Sequence, residues 1–382
     1  MLPGFERVSL ESHYRRFCRE ATKSAPSYDV SFSFGAPQVD EGACKTSSFE
    51  MTTQGSAWTT HAEVVLYDLA CLNAMYDRQP MPVRLLRGFG AVLDLLFHGT
   101  ALRYLRDGWR FFLFFLFPFF FVMAIVVLMA LAIAPAALES PWHLAWSVPL
   151  ALAGFASLCV FAKRMHVPLM MDLWALTVDV PRGRKDDVRR MLAAVADDIA
   201  TRIAASKVDE VIVVGHSFGA VPAVMALADP RVTKVAQQHP VGLLAAGSYL
   251  LAVAHHPAAK ALREATRRVL RSPVTWLDAQ SHTDPINFFR TNPADALRVH
   301  VAKRPSIVEV RFKQQLDPTS YAQIRGDFFR THRQFVYGVE RRSHYSLFGI
   351  IGGPERFTDV TARGGLLPDW TRFRSPETGA SG

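Results

Sequence analysis

The sequence predicts an α/β protein: a mostly parallel sheet flanked by helices, interrupted by an inserted hairpin of apolar helices. Three observations carry that prediction. Four apolar β-branched residues, 211–214, run straight into Gly215-His216-Ser217-Phe218-Gly219 and then an alanine-rich apolar helix. Strand-like segments at about 241–246, 273–277 and 306–312 alternate with helical stretches such as 257–270, the pattern of parallel strands joined by crossovers. Upstream, two apolar stretches, about 111–138 and 144–162, contain no charged residue.

The elements follow in chain order. Residues 1–6 read as the end of a strand and the loop after it, and a helix follows from about 10 to 22. Val30, Phe32 and Phe34 alternate with serine, a half-buried strand. Residues 35–56 are rich in Gly, Ser and Thr and read as loop. Thr60-x-x-Glu63 has the form of a capping box, which predicts a helix over Val64, Leu66, Leu69, Leu72 and Met75. Residues 84–110 mix leucines with arginines and read as an amphipathic helix at a membrane surface.

Each apolar stretch that follows is long enough to cross a hydrocarbon core, which takes about 20 helical residues. Arginines precede the first span and Lys163-Arg164 follow the second, while the connecting loop carries only Glu139. The positive-inside rule therefore puts both ends in the cytoplasm. Beyond the hairpin, Val188, Met191, Leu192, Val195, Ile199 and Ile203 recur on one helical face. Four regions result: an N-terminal part (1–83), the amphipathic helix with its hairpin (84–165), a C-terminal part (166–361) and a flexible tail (362–382).

Bulk properties narrow the function classes. Half of the residues are hydrophobic and 27 are phenylalanine, which suggests membrane contact. The net charge of +9 comes without a nucleic-acid-binding motif, so a basic rim facing anionic lipid accounts for it better. Cys18, Cys44, Cys71 and Cys159 show no metal-ligand spacing and read as thiols in a reducing compartment. No cleavable signal peptide opens the chain.

A serine between two glycines, on a turn from buried strand to helix, is the pattern of a nucleophile elbow. With the opening Leu2-Pro3-Gly4-Phe5-Glu6, the segment 241–248, the Asp284-Pro285 loop and the late His332-Arg333-Gln334-Phe335, the chain resembles the α/β-hydrolase superfamily, in particular bacterial membrane-associated members. That resemblance implies an α/β-hydrolase-like sheet and a triad in the order serine, acid, histidine. It implies Ser217 as nucleophile, Asp284 as acid with Asp278 as alternative, and His332 as base with His344 as alternative. His300 falls before the last strand, at the wrong end of that order, and His216 sits beside the serine and reads as structural.

The resemblance also implies an oxyanion hole from the N–H groups of Phe218 and of the Gly4-Phe5 loop. It makes the strand ending at Leu2 central, so a translation start a few codons upstream is expected, which an intact mass would test. No metal or organic cofactor is implied. The function expected is a serine hydrolase of the cytoplasmic membrane, its catalytic domain facing the cytoplasm and its substrates lipid-like acyl esters or thioesters. Acyl transfer by the same elbow and a catalytically inactive membrane scaffold are the alternatives.

Overall fold

The computed structural model describes residues 1–42, 44–133 and 141–374. Its strands form two four-stranded sheets, one parallel and one antiparallel. The antiparallel sheet holds β1 (Ser31–Phe34), β2 (Gln38–Asp40), β3 (Thr46–Gln54) and β4 (Thr59–Tyr67), with β3 bonded to the other three. The parallel sheet runs in the order β5 (Val211–His216), β6 (Val241–Ala246), β7 (Thr275–Gln280) and β8 (Ser306–Glu309).

This corrects the expected α/β-hydrolase-like architecture, in which one large, mostly parallel sheet spans the chain. Among the described residues four strands are parallel, and helix outweighs strand. Connection length is the physical reason. Parallel neighbours need a crossover of a dozen or more residues, whereas β3 and β4 are joined by residues 55–58, closed by Gly55 N–H donating to Trp58 O at 3.0 Å. So short a link permits only an antiparallel hairpin.

The same hairpin overturns two local expectations. Residues 35–56 are not mainly loop, because β2 and β3 lie there. Thr60-x-x-Glu63 caps no helix: Phe49 pairs with Val64 and Met51 with Ala62, while Phe49, Met51, Val64 and Leu66 all face a core. Period-two burial decides the segment over the capping-box spacing. The helix begins only at α2 (Ala70–Asp77).

Upstream, α1 (Leu10–Tyr28) is capped by Ser9, whose side chain accepts from Ser12 N–H. The expected amphipathic helix is two helices, α3 (Met81–Phe97) and α4 (Thr100–Asp107), bent by 75° at their junction. There Gly99 takes a φ of +68°, which breaks the helical path at little steric cost.

α5 (Trp109–Ile133) is docked at its start and projects thereafter. Phe111, Phe114 and Phe115 pack around Trp174 and Tyr104. Beyond them Phe120, Val126, Val127 and Leu128 are exposed. Within α5, 109–130 is long and apolar enough to cross a membrane, and only 24% of its most apolar window is buried, unlike a core helix. The second expected span lies inside α6 (Pro141–Arg164), and Phe161 stacks on Phe121 of α5. The end of the expected first span, 134–138, and the start of the expected loop, 139–140, lie outside the described residues.

α7 (Val167–Arg182), which the sequence reading did not predict, is buried along most of its length. It packs chiefly against α3, and its core is continuous with that of α8 (Asp186–Ala205) and α9 (Ala220–Leu227), which cover one face of the parallel sheet. Val213, Leu243 and Trp276 point to that side, while Val214, Leu244, Leu277 and Val308 point to a second core shared with α1 and the antiparallel sheet. Both faces of the strands are thus covered, which explains their unbroken apolar character. The chain from 362 is not all flexible tail: Trp370 is buried, stacks on Tyr28 and donates to Glu355, and 375–382 lie outside the described residues.

Candidate active site

β5 ends in the turn that carries Ser217. The serine has a φ of +54°, a left-handed conformation that costs a side-chain-bearing residue about 1–3 kcal/mol and points to a functional constraint. Close approach around it explains the glycines. A Cβ on Gly219 would lie 2.4 Å from Leu2 O, and one on Gly4 would lie 2.9 Å from Ser217 Cβ. Only bare backbone lets the N-terminal loop reach the serine.

That loop is held firmly. Leu2 N–H donates to Val214 O at 2.8 Å and His216 N–H donates to Leu2 O at 3.0 Å, while Tyr67 N–H of β4 donates to Met1 O. Arg16 clamps Glu6 through two bonds of 2.8 and 2.7 Å. Burial alone would push the Glu6 carboxyl up, but the bonds and charge of Arg16 outweigh it and hold the group at about 2. Among the described residues, the N–H groups of Phe5 and Phe218 donate to no protein acceptor, and Gly4, Phe5 and Ser217 line one cleft. Two free backbone donors beside a serine can hold a developing oxyanion.

Asp284 lies in the loop after β7 and is fully buried. Its Oδ2 receives His332 Nδ1 at 2.8 Å and Asn287 Nδ2 at 3.0 Å, and its Oδ1 receives Ile286 N–H at 3.0 Å. His332 comes from the helix Phe328–Arg333, which is capped by the side chain of Asp327. Donation from Nδ1 leaves Nε2 as the basic nitrogen, and Nε2 is buried without a hydrogen-bond partner. Ser217 and His332 line the same cleft with no hydrogen bond between them, a looseness common in sites free of substrate.

His216 props the base from behind. Its Nε2 lies 3.3 Å from His332 O, and the two rings sit 4.9 Å apart. Burial, and next the charge of His332, push His216 down to about 3, so it stays neutral at physiological pH.

The alternatives are elsewhere. His344 is exposed and bonded through Nε2 to Glu309 O at 2.8 Å. His300 is exposed and off the cleft. Asp278 is not in a loop, because β7 continues to Gln280 and sets Asp278 within the strand, between Ala245 and Ile307. Burial pushes its carboxyl up to about 7.

That shift makes a stability prediction. The unfolded carboxyl releases its proton near pH 4, whereas the folded one keeps it to about 7, so between those values the folded state binds the extra proton. The stability contributed by Asp278 is therefore full below pH 4 and lost as pH rises to 7. Asp278→Asn is expected to stabilise the protein at pH 8 by roughly 2–4 kcal/mol and to leave stability at pH 4 little changed, read from denaturant melts at both values.

Sequence reading missed three supports of the site: Asn287, which fixes Asp284; Arg16, which fixes Glu6; and Arg333, beside the base. The spacing Asp284-x-x-Asn287 was the only local signal among them. The cleft itself measures about 440 Å³, has Leu169, Leu173, Ile286 and Phe329 among its apolar walls, and reaches Lys163 at the end of α6. Comparison with protein-family models, with curated proteins and with solved structures finds no match to this chain.

Proposed function

We propose that the protein is a membrane-anchored serine hydrolase that cleaves ester or thioester bonds of lipid-like acyl substrates. The observation that carries this reading is the Asp284–His332 hydrogen bond behind a cleft that His332 and strained Ser217 both line. In the reaction His332 Nε2 takes the Ser217 proton as Oγ attacks the acyl carbonyl, and Asp284 stabilises the imidazolium. The N–H groups of Phe218 and Phe5 hold the oxyanion. His332 then returns the proton to the leaving alcohol or thiol, and water releases the acyl group by the same steps.

The membrane assignment rests on separate features. α5 projects an apolar surface that begins with exposed Trp109, and Leu86, Phe97, Leu102 and Leu105 on α3 and α4 are exposed. Arg103, Arg106 and Arg110 lie among them, a composition suited to an anionic interface. The cleft reaches the root of α6, so a substrate could enter from the cytoplasmic leaflet.

The test is turnover of a panel of acyl esters and thioesters by detergent-solubilised protein. Ser217→Ala is expected to reduce cleavage at least about 10³-fold, to background. Equal turnover by wild type and variant would contradict the proposal, and failure of the intact protein to cleave any member would favour an inactive scaffold.

A further inference from the structure

The cleft around Ser217 is lined by four fixed cations and one carboxylate. Two of the cations are neutralised: Arg84 pairs with Asp172, and Arg7 with Asp77. The carboxylate, Glu6, is taken up by Arg16. Two cations remain without a carboxylate among the described residues. Lys163, at the end of α6, is exposed; its carbonyl accepts from His166 N–H, and its ammonium has no ion-pair partner among the described residues. Arg333 spends one N–H on Phe329 O at 3.2 Å, which leaves most of its guanidinium free.

These two charges come from different elements, α6 and the helix that carries His332. The same cleft has Leu169, Leu173, Ile286 and Phe329 among its walls, together with Ser217. Such a cleft suits a molecule with an apolar chain, an acyl bond at Ser217 and an anion to meet the two unpaired cations.

Resting on the hydrolase reading above, we infer that the preferred substrates are acyl esters whose leaving group bears a phosphate, held by Lys163 and Arg333. Hydrolysis of such an ester yields a fatty acid and a phosphate-bearing alcohol, with water supplying the oxygen and proton. The phosphate takes no part in bond breaking. It anchors the leaving group while the carbonyl meets Ser217 Oγ.

The experiment uses two matched pairs: monoolein and 1-oleoylglycerol 3-phosphate in neutral-lipid vesicles, and monobutyrin and 1-butyrylglycerol 3-phosphate in detergent solution. The ratio of kcat/KM, phosphate over neutral, is expected to exceed about tenfold in both pairs and to fall about tenfold in Lys163→Gln and in Arg333→Gln. Arg333→Lys is expected to restore part of the ratio, and added salt to lower it. A ratio near one, or one present only in vesicles and unmoved by either substitution, would overturn the inference. The last outcome would assign the preference to general attraction between a basic surface and anionic lipid.

Binding of the same compounds to Ser217→Ala protein separates this inference from the reading beneath it. Phosphate-selective binding without turnover in the wild type sinks hydrolysis and keeps the anion site. Turnover without selective binding does the reverse.

Discussion

Replacing His332 with alanine is expected to lower kcat/KM by about 10⁴-fold or more while leaving the fold intact. A serine hydroxyl is almost wholly protonated at neutral pH, so without a base its nucleophilicity nearly vanishes. The unpartnered Nε2 of His332 is the basic nitrogen that shares the cleft with Ser217 and is backed by a carboxylate. His344→Ala is the matching control. Its ring is exposed and spent on a strand carbonyl, so kcat/KM should stay within about twofold of wild type. Steady-state kinetics on one soluble ester, with circular dichroism as the fold check, reads both variants. A loss in His344→Ala and none in His332→Ala would reverse the assignment.

Asp284→Asn carries the second large effect, a fall in kcat of about 10³–10⁴-fold. The side chain stays nearly isosteric, but its charge is gone and one oxygen becomes an NH₂. Oδ2 accepts from both His332 Nδ1 and Asn287 Nδ2, and Oδ1 accepts from Ile286 N–H. An amide cannot accept at both atoms, so one donor is left facing another in a buried site. If the His332 ring answers by moving its proton to Nε2, the serine loses its base. Asp278→Asn should leave kcat near wild type, since Asp278 sits within β7 and off the cleft.

What the sequence made legible follows the range of the interactions. The turn at Ser217 is written locally, in a β-branched strand, two glycines and a small-residue helix, because strand and helix must nearly touch there. The loop of Asp284 and the helix of His332 were readable only as candidates. Their hydrogen bond joins residues 48 apart, and no local pattern records it. The antiparallel sheet is hidden in the sequence for a related reason. Strand alternation after 241 is a true parallel signal, but the Ser- and Thr-rich segment before residue 67 hides β3 behind loop-like composition. Its pairing with β4 depends on Phe49, Met51, Val64 and Leu66 meeting across a hairpin. The Thr60-x-x-Glu63 spacing mimics a helix cap although the segment is strand β4. Lys163 was read as a membrane flank, and its place on the cleft wall emerges only once α6 is set against α7 and the His332 helix.

The most direct measurement is covalent trapping. Purified protein treated with a fluorophosphonate, which reacts with activated serines, should take up one equivalent. Peptide mapping should place the adduct on Ser217, with no uptake by Ser217→Ala or His332→Ala protein. An adduct on another residue, or uptake undiminished in Ser217→Ala, would contradict the account at its centre.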